Sequence, residues 1–128
     1  MSEVSVRKPR PKHLAVHEIR MPLPSIVSIL HRVSGAGLFL LLPFLLYLFD
    51  LSLGQDSFAT FSAVVGHPLA KLVLLGLLWA YLHHFCAGIR FLLLDLHKGI
   101  DLQPARNSSR IVLIVSLALT AVIGVALW

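Results

Sequence analysis

Three long apolar runs, separated by short polar segments, set the layout of this chain. The first, Val33–Phe49, is interrupted only by small residues and Pro43. With the flanking Pro24-Ser25 start signal it predicts a helix over 25–53, kinked at Pro43. Gly54-Gln55-Asp56-Ser57 is the clearest turn signal, and Phe58–Val65 follows as a short, partly apolar piece suited to one interfacial helical turn. His67-Pro68 opens the second run, which predicts a helix over 68–96. Residues 97–110 are polar, with Gly99, Pro104 and Asn107, and read as a connector. The last run, 111–128, predicts a third helix whose Ser116, Thr120 and Gly124 recur at steps of four as a small-residue packing stripe. Each run reaches or approaches the ~20 residues that cross a bilayer. The expected fold is therefore an all-α integral membrane three-helix bundle.

Composition and charge agree. Of 128 residues 57% are hydrophobic, and the mean hydropathy is +0.85, too apolar for a soluble domain of this size. Five of the 11 Lys and Arg residues precede position 21 (Arg7, Lys8, Arg10, Lys12 and Arg20). Residues 1–24 thus read as a basic arm, facing anionic lipid or docking a soluble partner, and 25–128 as the transmembrane anchor domain. The arm has no apolar core of the kind a secretory signal peptide carries. Lys98, Arg106 and Arg110 lie in the 97–110 connector, whereas 54–66 holds no Lys or Arg. The positive-inside rule places the N-terminus and the 97–110 connector in the cytoplasm, and the C-terminus on the periplasmic side. A nucleic-acid role does not fit so apolar a chain. The single cysteine, Cys86, excludes an intrachain disulfide and suits a small packing residue.

Ionisable residues inside the apolar runs mark the candidate chemistry, because each costs ~3 kcal/mol at mid-membrane unless it is engaged. Tyr81–His97 contains two histidines, an arginine and an aspartate. On a helix His84, Gly88, Phe91 and Asp95 share one face, and His83, Ala87, Arg90 and Leu94 a neighbouring one. An imidazole followed by a bare backbone patch suits a haem, which needs a nitrogen lone pair for its iron and room for the macrocycle. A histidine hydrogen-bonded to another helix suits the same pattern, and His83 competes with His84. Arg90 could hold a haem propionate or pair with Asp95. Near the predicted cytoplasmic end of the first helix, Ser28, His31 and Arg32 bring a hydroxyl, an imidazole and a guanidinium together, next to the thin Ser34-Gly35-Gly37 stretch. Such a group can bind the carbonyls of a quinone or a haem propionate; a snorkelling arginine with a capping serine is the plainer reading. A six-coordinate haem needs a second axial ligand, and none of the remaining histidines is a clear mid-membrane partner on another helix. That arithmetic points to a second chain.

The residues then show a resemblance over essentially the whole chain. Arg10-Pro11, the segment Ser28-Ile29-Leu30-His31-Arg32-Val33-Ser34-Gly35, and His84 four residues before Gly88-Ile89-Arg90 with Asp95 beyond, resemble the pattern of the cytochrome b large membrane-anchor subunits of succinate dehydrogenase, respiratory complex II. The resemblance implies His84 as axial ligand of a b-type haem, His31 and Arg32 beside its propionates, and Ser28 and Arg32 in a ubiquinone site. It also implies a flavoprotein, an iron–sulfur subunit and a second small anchor subunit that supplies the other haem ligand. The location implied is a bacterial inner membrane, and the role is passage of electrons from succinate oxidation in the partners to quinone. Phe91 departs from the pattern, since relatives often carry a histidine there. The alternatives are a fumarate reductase anchor and a non-redox membrane accessory subunit.

Overall fold

A computed structural model describes residues 18–128. Most of the expected basic arm, including Arg7, Lys8, Arg10 and Lys12, lies outside them. The described residues form four helices and no strand: α1 (Leu23–Leu53), α2 (Phe58–Gly66), α3 (Pro68–Asp95) and α4 (Leu102–Leu127). Three of these, α1, α3 and α4, are long and apolar enough to cross a membrane.

Local chemistry explains most of the boundaries. Pro22 is extended, at φ −68° and ψ 153°, and Pro24 occupies the first turn of α1, where no amide hydrogen is needed. The helix assignment continues unbroken through Pro43. At the start of α3, Nδ1 of His67 accepts from the Leu69 amide at 3.2 Å, and Pro68 follows in the first turn. At its end His97 takes the left-handed conformation, φ 57°. The amide of Lys98 then donates to the Leu93 carbonyl at 3.0 Å, which closes the helix.

The third spanning helix begins earlier than its sequence predicts. It starts at Leu102, not 111, so most of the expected connector is helix. Polar residues hid this, because 102–110 has no apolar period. The added turns are held by local and tertiary hydrogen bonds. Ser108 and Ser109 donate to the Ala105 carbonyl at 3.1 and 2.8 Å, and Arg90 of α3 reaches across to the same turn. The piece at 58–65 is likewise a full helix, α2, packed against α1 and α3.

The spanning helices each contribute one residue to a small core of Val27, Ala87 and Val112, with Cys86, Phe91 and Leu113 around it. Leu48 and Leu77 are also buried, and the other buried positions among the described residues are polar: Ser34, His83, Arg90, Ser109, Ser116 and Thr120. Small residues let α4 approach α3 closely. Ser116 and Thr120 are buried and turn their hydroxyls onto their own helix, donating to Leu113 and Ser116 carbonyls at 3.1 and 2.7 Å. Further out, a Cβ on Gly124 would lie 2.8 Å from Cδ1 of Leu75. Most large apolar side chains face outward, Phe39 and Leu40 of α1 being 76% and 73% exposed, as expected where lipid or another apolar chain is the neighbour.

Candidate functional site

α1 and α3 meet where the two sequence segments of interest cross. The ring of His84 lies against α1 at Ser34-Gly35. Its Nδ1 is 3.0 Å from the His31 carbonyl oxygen and 3.3 Å from Oγ of Ser34. A carbonyl oxygen can only accept, so Nδ1 carries the proton. The Ser34 hydroxyl donates its own hydrogen to the His31 carbonyl at 2.9 Å and is left as an acceptor toward Nδ1. Nε2 of His84 makes no hydrogen bond among the described residues and keeps its lone pair. The ring is half-buried.

This close approach depends on Gly35. A Cβ there would sit 2.7 Å from Cε1 and 3.1 Å from Nδ1 of His84. The imidazole of His31 stacks on that of His84 with centroids 4.1 Å apart and planes 9° from parallel. It also meets Phe91 at 5.1 Å. Gly88 lies under the His31 ring, where a Cβ would be an ordinary 3.8 Å from Nε2.

His83 has the opposite environment. It is fully buried inside the bundle of this chain, tilted against Trp79 at 5.2 Å. Both its ring nitrogens lack a hydrogen-bond partner, as does Nε1 of Trp79. An incoming macrocycle could not reach it without separating the helices.

Ser28 lies two turns before Gly35 on nearly the same face of α1, and Arg32 one turn after Ser28, so both sit beside the His84 contact toward the start of the helix. They border a cavity of about 500 Å³ beneath Met21 and Pro22, shared with Arg90, Phe91 and Leu94 of α3. Neither Ser28 nor Arg32 makes a hydrogen bond among the described residues, so both are available to a ligand. His31 and Arg32, adjacent in the chain, therefore serve different surroundings: His31 the His84 ring, Arg32 the cavity. Arg90 is buried, its Nε donating to Oγ of Ser108 at 2.9 Å and a terminal nitrogen to the Ala105 carbonyl at 3.3 Å. It turns to α4 and away from Asp95, which is exposed at the end of α3. Sequence reasoning missed two parts of this arrangement: Ser34 as a partner of His84, and Arg90 as the clamp on α4. The thin Ser34-Gly35-Gly37 stretch was the only signal for the first.

The donor chemistry of these residues fits the group that the sequence leads one to expect. A tautomer with a free Nε2, partly exposed on a helix flank, is what an iron ligand requires. A hydroxyl and a guanidinium at the rim of an open cavity can donate to carbonyl or carboxylate oxygens.

Comparison with known proteins agrees with these observations. Residues 6–123 match the family described as succinate dehydrogenase/fumarate reductase transmembrane subunit. Three similar proteins are each named succinate dehydrogenase cytochrome b556 subunit. That of Coxiella burnetii is 34% identical, over 93% of this chain and 97% of its own length. That of Paracoccus denitrificans is 32% identical, over 88% and 85%. That of Rickettsia felis is 27% identical, over 96% and 95%. With three spanning helices and a match along nearly its whole length, the chain belongs to the family of succinate dehydrogenase/fumarate reductase transmembrane subunits and is a multi-pass protein of the bacterial inner membrane.

Proposed function

We propose that this chain co-binds a b-type haem through Nε2 of His84 and forms part of a ubiquinone-reduction site at Ser28 and Arg32. It would do so within a complex whose flavoprotein and iron–sulfur subunits oxidise succinate. The observation that carries the reading is the His84 imidazole, held by its Nδ1 proton on the His31 carbonyl with Nε2 unengaged. The relatives' name, cytochrome b556 subunit, supports a haem.

When bound, the haem supplies one-electron storage and transfer. The residues of this chain orient and hold. His84 would offer the iron one ring nitrogen. His31 cannot be the second ligand of the same iron, because its ring is stacked face to face on His84 at 4.1 Å and not opposed to it. The second nitrogen is therefore assigned to a second small anchor subunit. Arg32 and His31 lie near enough to that flank of α1 to meet propionates. In the cavity, the Ser28 hydroxyl and the Arg32 guanidinium donate to a quinone carbonyl. Each quinone takes up two electrons and two protons, and these donors polarise the oxygen on which a proton arrives.

The test is a reduced-minus-oxidised visible spectrum of the affinity-purified complex, with His84→Leu and Arg32→Ala beside the wild type. A b-type band in the wild type, lost or altered in His84→Leu, is the expected result. Arg32→Ala should keep its subunits while succinate–ubiquinone turnover falls at least tenfold. A wild-type complex without a haem band, partners present, would leave a haem-free accessory subunit. Unchanged turnover in Arg32→Ala would remove it from the quinone site.

A further inference from the structure

The residues that hold His84 all belong to one turn of α1, fifty residues away in the chain. We infer that Ser34 and the main-chain carbonyl of His31 are positioning groups for the haem ligand, fixing His84 as an Nε2 donor, and that Gly35 exists to admit its ring. The inference rests on the haem reading above and deepens it.

Three observations converge. The first is the closed set of hydrogen bonds. The Ser34 hydroxyl donates to the His31 carbonyl at 2.9 Å, that carbonyl accepts from Nδ1 of His84 at 3.0 Å, and Oγ of Ser34 stands 3.3 Å from the same nitrogen. With one hydroxyl hydrogen already spent on the carbonyl, the three contacts require the proton on Nδ1, and the neutral ring then keeps its lone pair on Nε2. The second is steric. No side chain larger than glycine's fits at position 35 while the ring stays where it is, because the added carbon would lie 2.7 Å from Cε1. Gly37 carries no such constraint, since a Cβ there meets nothing within 4 Å. The third is the parallel His31 ring at 4.1 Å, which stops the His84 ring from rotating about its Cβ–Cγ bond.

Ligating histidines are tuned by what their second nitrogen touches, and loss of such a partner commonly weakens metal binding 10- to 100-fold. Two acceptors around Nδ1–H increase electron donation from Nε2 and favour the oxidised iron. Removing the Ser34 oxygen should therefore raise the haem midpoint potential. The same change leaves the cavity with Ser28 and Arg32 untouched.

The experiment uses the purified complex carrying Ser34→Ala, Gly35→Ala, Gly37→Ala or His84→Leu. Haem per complex, the midpoint potential and the low-spin electron paramagnetic resonance of the oxidised haem are measured. In Ser34→Ala the haem content should hold while the reduction equilibrium shifts at least threefold toward the reduced form, about 28 mV for one electron, with moved g values. In Gly35→Ala the haem content should fall below about a tenth of wild type, and Gly37→Ala should match wild type. Wild-type potential and resonance in Ser34→Ala overturn the inference, and that variant alone decides if Gly35→Ala prevents assembly. An undisturbed haem in His84→Leu would instead defeat the parent reading. Haem lost in His84→Leu but unmoved in Ser34→Ala and Gly35→Ala would defeat only the positioning.

Discussion

His83 and His84 are adjacent in sequence, yet one is sealed among three helices and the other sits on a flank. Helical spacing separates their faces but does not say which turns inward, because each face mixes small and polar residues. The neighbour decides: Ala87 and Arg90, on the His83 face, pack inward with it, while His84 meets the one place where α1 is thin. Ser34's part in this was not legible, since it depends on a contact fifty positions away. The buried, unpartnered nitrogens of His83 make a clear prediction. His83→Leu replaces a buried imidazole whose nitrogens make no well-formed hydrogen bond, the Val27 main chain being its nearest polar neighbour, with a side chain of similar volume. The haem band should persist and the complex should be as stable as wild type or more so, by up to ~2 kcal/mol. Thermal unfolding of the detergent-solubilised complex, read beside its spectrum, checks both. Haem lost in this variant and kept in His84→Leu would exchange the two roles.

Elements in this bundle are joined more by polar clamps than by a large apolar core. The start of α4 shows why the sequence misled there. Hydropathy marks the apolar part of a spanning helix, and the turns from 102 to 110 carry too few apolar residues to register in it. Their stability comes from Arg90, a residue of another helix, whose donors meet Ser108 and the Ala105 carbonyl. The two other spanning helices were legible nearly to the residue, because proline and histidine start signals coincide with the apolar runs. Arg90→Ala strips both hydrogen bonds from a buried site, at a cost of about 2–4 kcal/mol. Limited proteolysis should then cut within 98–110 well before the wild type is nicked. Equal resistance would mean that the serine bonds within the first turns hold them unaided.

At the scale of the molecule, α1 is the least covered of the spanning helices, and its exposed Phe39, Leu40 and Leu46 need an apolar neighbour. A second anchor subunit or acyl chains satisfy that need, since neither asks the helix for hydrogen bonds. Charge asymmetry, visible in the sequence, sets the expected orientation. Alkaline phosphatase fused after Trp128 should be active, and fused at Gly99 inactive. The reverse pattern would invert the bundle and place Ser28 and Arg32 on the periplasmic side, away from cytoplasmic electron donors.

The antiparallel pair α3 and α4 is fastened near both ends, by Arg90 on Ser108 and by Leu75 on Gly124. Between these fastenings lie fifteen steps of one helix and sixteen of the other, ~23 and ~24 Å of rise. Near-equal lengths leave no slack. Adding or deleting one residue in either stretch rotates everything beyond it by ~100°, which pulls one fastening out of register or turns His83 and His84 to new neighbours. Substitutions can accumulate on the outward faces without touching this ladder, but changes of length cannot. An added residue should be tolerated best in 54–57 and 96–101, where the chain turns between helices and an insertion leaves both fastenings in register.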